Sequence, residues 1–440
     1  MNNYINKKSI TYAILSLIIL SFFLGFYFNE NSAGAGGYNG DITWIIQNIE
    51  IFKNNNLRDA ITNDDFFGNR TPLIYILNNF LNPFFYEYEY YRITTFLFSL
   101  TGPIFIYFCL KNKLPKLDKE LNILISCLIF LSPYYRTSAY WALNENYGLI
   151  SSLISFLFLS LYLSNINKGK LKINFLLITI LLSSITVYFD LKLIIVTLIC
   201  FLTIFFSSTN KKFKINICLI YLLLGLPYLF LMIEWNGLVP IKTQALNENT
   251  VTNFSRIENL YIYHLGYTST IIAFYLFPFL FLKERNIFEN IKKLINSKWF
   301  YLILSLPIFY ILYLYLNLEF RSYTIDNYWI GLGLVNKVSN IFFDNLIIKE
   351  VFTYLMIFLS WIVISLYIES IVDFLILSFF FIMSLFLWPL MQEYFDPIIL
   401  ILCLTIFKTR LNFNHSNVIF VFLYFCIFLI TANIYYFNLV

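Results

Sequence analysis

Apolar runs of membrane-crossing length recur from one end of this chain to the other, and no other feature constrains its fold as tightly. A helix needs roughly 20 predominantly apolar residues to cross the hydrocarbon core of a bilayer. Thirteen candidate segments are legible, near residues 9–28, 93–110, 121–133, 147–164, 173–189, 191–207, 215–233, 265–282, 299–316, 351–368, 374–390, 397–407 and 417–437. Those at 121–133 and 397–407 fall short of that length, so they must extend into their flanks, tilt or re-enter. Only 12% of the residues are charged and 59% are hydrophobic, against about 25% charged in a soluble domain. The expected fold is therefore all-α, a polytopic transmembrane helical bundle of about 11–13 spans. Residues 1–440 form a single integral-membrane domain with no separate soluble domain.

Charge sets the expected orientation. With the N-terminus in the cytoplasm, Lys7 and Lys8, the lysines at 111–119, 168–172 and 211–214, the basic stretch from Lys283 to Lys298, and Lys408 with Arg410 all fall inside. Most of the 25 acidic residues then fall outside, as the positive-inside bias requires. The net charge of +5 thus reflects topology, and no nucleic-acid partner is expected. The first apolar run is longer than the 7–15 residues of a signal-peptide core, and Asn29-Glu30-Asn31 separates it from Ala33-Gly34-Ala35, so it reads as a retained span. The six cysteines lie in or beside apolar segments, without metal-ligand spacing, and read as packing residues.

Irregular polar sequence is concentrated on the outer side. The longest outer loop, 29–92, opens on Ser32-Ala33-Gly34-Ala35-Gly36-Gly37-Tyr38-Asn39-Gly40-Asp41. Glycine tolerates backbone conformations closed to other residues and lets a ligand approach closely. Asp41 has two readings: an N-cap for the helix that follows, or a general base for an incoming hydroxyl. Ile42, Ile45, Ile46, Ile49 and Phe52 form an apolar stripe at helical spacing, opposite Gln47, Asn48 and Glu50, which predicts an amphipathic helix in the membrane interface. Pro72 opens a second one.

Four further outer stretches carry candidates. Glu145 stands where the fourth apolar segment begins, and a carboxylate near membrane depth normally faces a cavity or a partner. Asp190 and Lys192 sit in a tight turn, where local pairing is the simpler account. The outer cations are Arg70, Arg92, Arg136, Lys242, Arg256, Arg321 and Lys337. Arginine binds phosphate bidentately, and Arg321 and Arg70 are the preferred phosphate ligands. Histidine-based metal sites or triads cannot be assembled outside from His264 alone. Asp64-Asp65 and Glu87-Tyr88-Glu89 could hold a divalent cation, although solvated surface charge explains both. The inner loops read as short, basic and free of motifs.

Taken in order, these features resemble the GT-C superfamily of integral-membrane glycosyltransferases, which use polyprenyl-phosphate-linked sugar donors. The matching elements are Gly40-Asp41-Ile42-Thr43-Trp44 after the first span, the stripe to Phe52, Arg70-Thr71-Pro72-Leu73-Ile74-Tyr75, Ser132-Pro133, and Glu145 before the fourth span. Glu234-Trp235-Asn236-Gly237-Leu238-Val239-Pro240 is similar to a Trp/Gly/Pro loop of several such enzymes. Gln392-Glu393-Tyr394-Phe395-Asp396-Pro397 resembles their late Arg-Tyr-x-x-Pro segment without the arginine. The resemblance implies sugar transfer from a lipid-linked donor to a glycan or lipid acceptor on the outer face of a bacterial cell membrane. Asp41 would be the base, one of Arg70, Arg136 and Arg321 the phosphate ligand, and Glu145 and Asp190 would orient hydroxyls, with Tyr38 and Trp141 also touching substrate. No organic cofactor and no metal ligand are implied, and a divalent cation stays optional. Two rivals remain: a polysaccharide polymerase on the same substrates, and a lipid-linked-sugar flippase without covalent chemistry, though transporters usually carry repeats or paired broken helices.

Overall fold

The computed structural model describes residues 2–33, 37, 40–68, 71–168, 172–246, 260–284, 287–297, 300–317, 331–387 and 389–436. Tyr38, Arg70, Arg256 and Arg321 lie outside the described residues. Among the described residues the regular structure is helical, apart from one isolated bridge between Lys283 and Leu411. The chain is an all-α polytopic bundle, as the apolar runs require.

All thirteen apolar segments fold as helices. Six are long and apolar enough to cross a membrane: Lys8–Tyr27, Tyr88–Lys113, Asn144–Ile166, Lys211–Trp235, Leu346–Tyr367 and His415–Tyr436. A seventh is a bent pair, Phe288–Ile295 with Phe300–Leu316. Four shorter apolar helices accompany them, Ile173–Phe189, Leu191–Phe206, His264–Leu280 and Ile371–Ser384. The two segments that looked short in sequence are short in space. Lys119–Ser126 tightens into a 3-10 turn, Cys127–Leu131, and Ile398–Thr405 is a helix of 8 residues.

These short elements sit in the middle. All residues of Ile398–Thr405 are buried, packed against Gly102–Lys113, Asn144–Asn167 and His264–Leu280. Enclosure by neighbouring helices lets an element too short for lipid exist at membrane depth, since its backbone ends meet protein instead of hydrocarbon.

Charged side chains collect at two opposite ends of the bundle. One end holds Lys8 with Glu120, Lys283 with Glu369, and Asp373 beneath the backbone of Lys408. The other holds Glu30, Asp41, Arg136, Glu145, Asp190, Lys192 and Glu393.

The first long loop is a small helical layer of its own. Its helices are Asp41–Asn54, the short Leu57–Ile61, and Leu73–Leu81 behind Pro72. Much of the apolar stripe expected to lie on lipid instead faces this layer. Ile45, Ile49 and Phe52 are buried, and Phe52 packs against Phe66 and stacks on Tyr75. Asn48 in the same face donates to the Phe67 carbonyl and the Tyr75 hydroxyl. An apolar helical face reads the same in sequence whether protein or lipid covers it.

Candidate functional site

Four segments distant in sequence meet at one end of the bundle. Asp41 begins the first loop helix. Its N-cap is Gly40, and Asp41 is already helical, so the capping role expected of it falls one residue earlier. A carboxylate in the first helical turn is still favoured by the helix dipole.

Gly37, four residues before Asp41, has a packing duty. A Cβ there would come within 2.8 Å of the Trp141 ring and 2.9 Å of Thr137. The Gly37 carbonyl accepts from the Ile42 amide. The glycine therefore brings the loop backbone down onto the protein's own Trp141, which is a different use from the ligand approach expected of the glycine-rich stretch.

Glu145 arrives by a sharp reversal. The helix Pro133–Tyr140 ends at Trp141, and Ala142 takes φ 53°, a left-handed conformation that is costly outside glycine. The reversal starts the long helix Asn144–Asn167, with Glu145 in its first turn and only 2% exposed. Its Oε1 accepts from the Tyr134 hydroxyl at 2.8 Å and from Lys192 Nζ at 3.4 Å. Lys192 Nζ also donates to the Tyr134 hydroxyl at 2.7 Å and lies 4.4 Å from that ring.

Asp190 and Lys192 come from the turn between Ile173–Phe189 and Ile194–Phe206. Asp190 Oδ1 accepts from the Lys192 amide at 2.8 Å, and its Oδ2 is 3.7 Å from Lys192 Nζ. The local pairing expected of this turn is present, and the same lysine reaches across to Glu145.

The fourth segment is Gln392–Tyr394. Glu393 is half-buried, and its carboxyl is pushed up to about 7. Burial is the main cause; Asp41, Glu145 and Asp190 push the same way while Lys192 opposes them. The Tyr394 phenol is raised as well, by burial and then by Glu393, Asp190, Asp41 and Glu145. These four carboxylates thus act on one tyrosine, with Lys192 Nζ 5.8 Å from its ring. Asp396 ties the segment down by accepting from the Tyr134 amide at 3.1 Å. Its carboxyl is raised to about 6, chiefly by burial.

Glu145 and Asp190 therefore meet on Lys192, and Asp41 is within electrostatic range of the same group. Lys192, Glu393 and Tyr134 complete the group, and sequence reading missed them as members. Lys192 carried a signal, a lysine in an outer turn, but its adjacent Asp190 explained it away. Glu393 was visible only as part of a late acidic loop.

The remaining candidates lie elsewhere. Arg136 is 2% exposed, and its Nε reaches Glu30 Oε1 at 2.8 Å while Nη2 meets Oε2. It also donates to the carbonyls of Ser21 and Phe130. Its guanidinium is occupied in joining Pro133–Tyr140 to the first span. Trp141 donates to the Glu30 carbonyl at 2.9 Å and has Arg92 over its ring at 4.5 Å. Lys242 pairs with Asp65 at the surface, and Lys337 lies against Tyr435 and Tyr436. Among the described residues no three His, Cys, Asp or Glu side chains group closely enough to hold a metal ion.

The group's chemistry is that of one cation among four carboxylates from separate segments, beside two phenols. It can hold an anion at Lys192, accept a proton at a carboxylate and hydrogen-bond hydroxyls. Comparison of the chain with protein-family models, with curated proteins and with solved structures found no match.

Proposed function

We propose that this chain is an integral-membrane glycosyltransferase moving a sugar from a polyprenyl-phosphate carrier to a glycan or lipid acceptor at the membrane face that bears Asp41. The observation that carries the reading is Lys192 held between Glu145 and Asp190, with Glu393 and Asp41 acting on the adjacent Tyr394.

In this reading Asp41 takes the proton of the acceptor hydroxyl as its oxygen bonds to the anomeric carbon. The bond from that carbon to the phosphate oxygen breaks, and its electron pair leaves with the lipid phosphate. Lys192 is the cation placed to balance the charge that grows there. It takes the role first sought among Arg70, Arg136 and Arg321. Glu145 and Asp190 hold Lys192 and accept hydrogen bonds from sugar hydroxyls. Sugars present many hydroxyl donors, which suits a site rich in carboxylates.

Position supports a lipid-borne donor. Glu145 lies in the first turn of Asn144–Asn167, one of the helices long and apolar enough to cross a membrane, so the group stands at the end of a span, within reach of a phosphate carried on a lipid.

The test uses the full chain in vesicles with a polyprenyl-phosphate sugar and an acceptor. Asp41→Asn should lower the transfer rate by ~10²–10⁴-fold, the range of a lost general base, while expression and melting stay unchanged. Wild-type transfer by the Asn variant overturns the assignment of Asp41. Lipid movement without product in the wild type would instead mark a flippase.

A further inference from the structure

The inner loop from Lys283 to Lys298 contains the helix Ile287–Ile295, which turns 89° from the following apolar helix Phe300–Leu316. Its exposed apolar side chains repeat at helical spacing: Phe288 is 83% exposed, Ile291 36% and Ile295 52%. Glu289 and Lys293 are exposed away from that face, Lys292 is exposed at its edge, and Asn290 is buried. The helix packs against Leu346–Tyr367, a candidate span.

Its level along the bundle is fixed by charge. Lys283 Nζ donates to the Leu366 carbonyl at 2.7 Å and pairs with Glu369 at 3.0 Å, just past the end of that span. Partial burial disfavours the Glu369 carboxylate, yet Lys283, and then the Arg410 amide and Lys293, bring its pKa below the usual value. The helix Ile287–Ile295 begins four residues after Lys283 and packs against the same span, which keeps it near the level where Leu346–Tyr367 ends.

We infer that Ile287–Ile295 is an in-plane helix seated in the bilayer surface opposite the Asp41 face, with Phe288, Ile291 and Ile295 in the acyl boundary and Lys292 and Lys293 against anionic lipid headgroups. Three observations commit the occupant to lipid. With the 17-residue apolar helix Phe300–Leu316 taken as the crossing part of the bent pair, a right-angle turn lays Ile287–Ile295 parallel to the membrane plane. Its level coincides with the end of a neighbouring span. An exposed apolar face flanked by lysines matches the acyl boundary on one side and anionic headgroups on the other. The inference stands independently of the reaction at the other face.

The experiment uses the full chain in vesicles of phosphatidylcholine with phosphatidylglycerol. Spin labels are placed in turn at Phe288→Cys, Ile295→Cys, Glu289→Cys and Lys293→Cys, with the unsubstituted chain giving the background of the native cysteines. Labels at 288 and 295 should collide with oxygen dissolved in lipid and be shielded from a water-soluble nickel chelate, and labels at 289 and 293 should show the reverse. Equal access of all four to the chelate, or shielding of 288 from both reagents as in a protein–protein contact, overturns the proposal. A fluorophore at Asn296→Cys should be quenched more by spin-labelled phosphatidylglycerol than by spin-labelled phosphatidylcholine at equal mole fraction. Lys292→Gln with Lys293→Gln should lower that preference by up to ~30-fold, the limit set by two surface lysines. Equal quenching by the two lipids in the wild type overturns the headgroup assignment.

Discussion

The two ends of the bundle use charge differently. At the end bearing Lys8, acids and bases are matched one to one: Lys8 with Glu120, Lys283 with Glu369, and Arg410 beside Glu284. Asp373 there accepts twice from the Lys408 amide, at 2.9 and 3.1 Å, and Lys113 donates to the Cys403 carbonyl. These groups fasten loops to helix ends. At the other end, Glu145 and Asp190 share Lys192, and Glu393 and Asp41 act on the neighbouring Tyr394. Crowding like charges costs stability that a merely structural site would shed, so the surplus of carboxylates marks the end where chemistry is sought. The second end also holds a matched pair, Glu30 with Arg136, which makes the contrast testable within one face.

The largest effect on stability should come from that pair. Arg136→Gln leaves the Glu30 carboxylate buried without its bidentate partner, and should cost about 3–5 kcal/mol, read as a fall in the melting midpoint in detergent. If the variant instead melts as the wild type and loses only transfer, Arg136 belongs with the shared cluster and the contrast fails.

Asp373→Asn comes next. It weakens the acceptor of the Lys408 amide and should cost roughly 1–3 kcal/mol, while the folded fraction transfers sugar at the wild-type rate. A specific loss of turnover at unchanged stability would make this end catalytic as well.

Glu393 sharpens the comparison through pH. Its carboxyl, raised from 4.5 to about 7, is neutral below that pH, so ionisation adds a further negative charge beside the proposed phosphate ligand. The wild-type kcat/KM should fall ~10-fold per pH unit above that point, and Glu393→Gln should remove this limb. Stability has the same sign. The raised carboxyl contributes its stabilisation in full below pH 4.5 and loses it as pH rises through about 7. Glu393→Gln should therefore melt higher than wild type at pH 8 and similarly at pH 4. An unchanged pH profile removes Glu393 from the site.

The smallest effect belongs to Lys242→Ala. Its partner Asp65 is largely exposed, and breaking such a pair should cost about 0.2–1 kcal/mol with transfer intact. A larger loss would show that this surface pair also holds the first loop over the cluster.

Much of the fold was legible because hydrophobicity is a local property. Each apolar run had to become a helix wherever it lay, and even the two short segments declared themselves by length. Less of the site was legible. Asp41, Glu145 and Asp190 stood out as carboxylates near helix ends, but the pairing of Arg136 with Glu30 and of Lys192 with Glu145 did not. Arg136 looked like an exposed loop cation until the first span placed Glu30 against it. Lys192 looked satisfied by Asp190 until Asn144–Asn167 placed Glu145 within 3.4 Å. The basic stretch from Lys283 to Lys298 shows no motif in sequence because its helix is short and its meaning depends on the angle it makes with the next.

Sequence alone determined the solvent of this protein, its helical class and the separation of its charges into two ends, because each follows from composition within a single segment. Tertiary structure alone decided which carboxylates share a cation, which arginine is consumed in packing and which apolar face is covered. A side chain's partner comes from residues far away in the chain, and a pattern of residue types is the same whether its partner is protein, lipid or substrate.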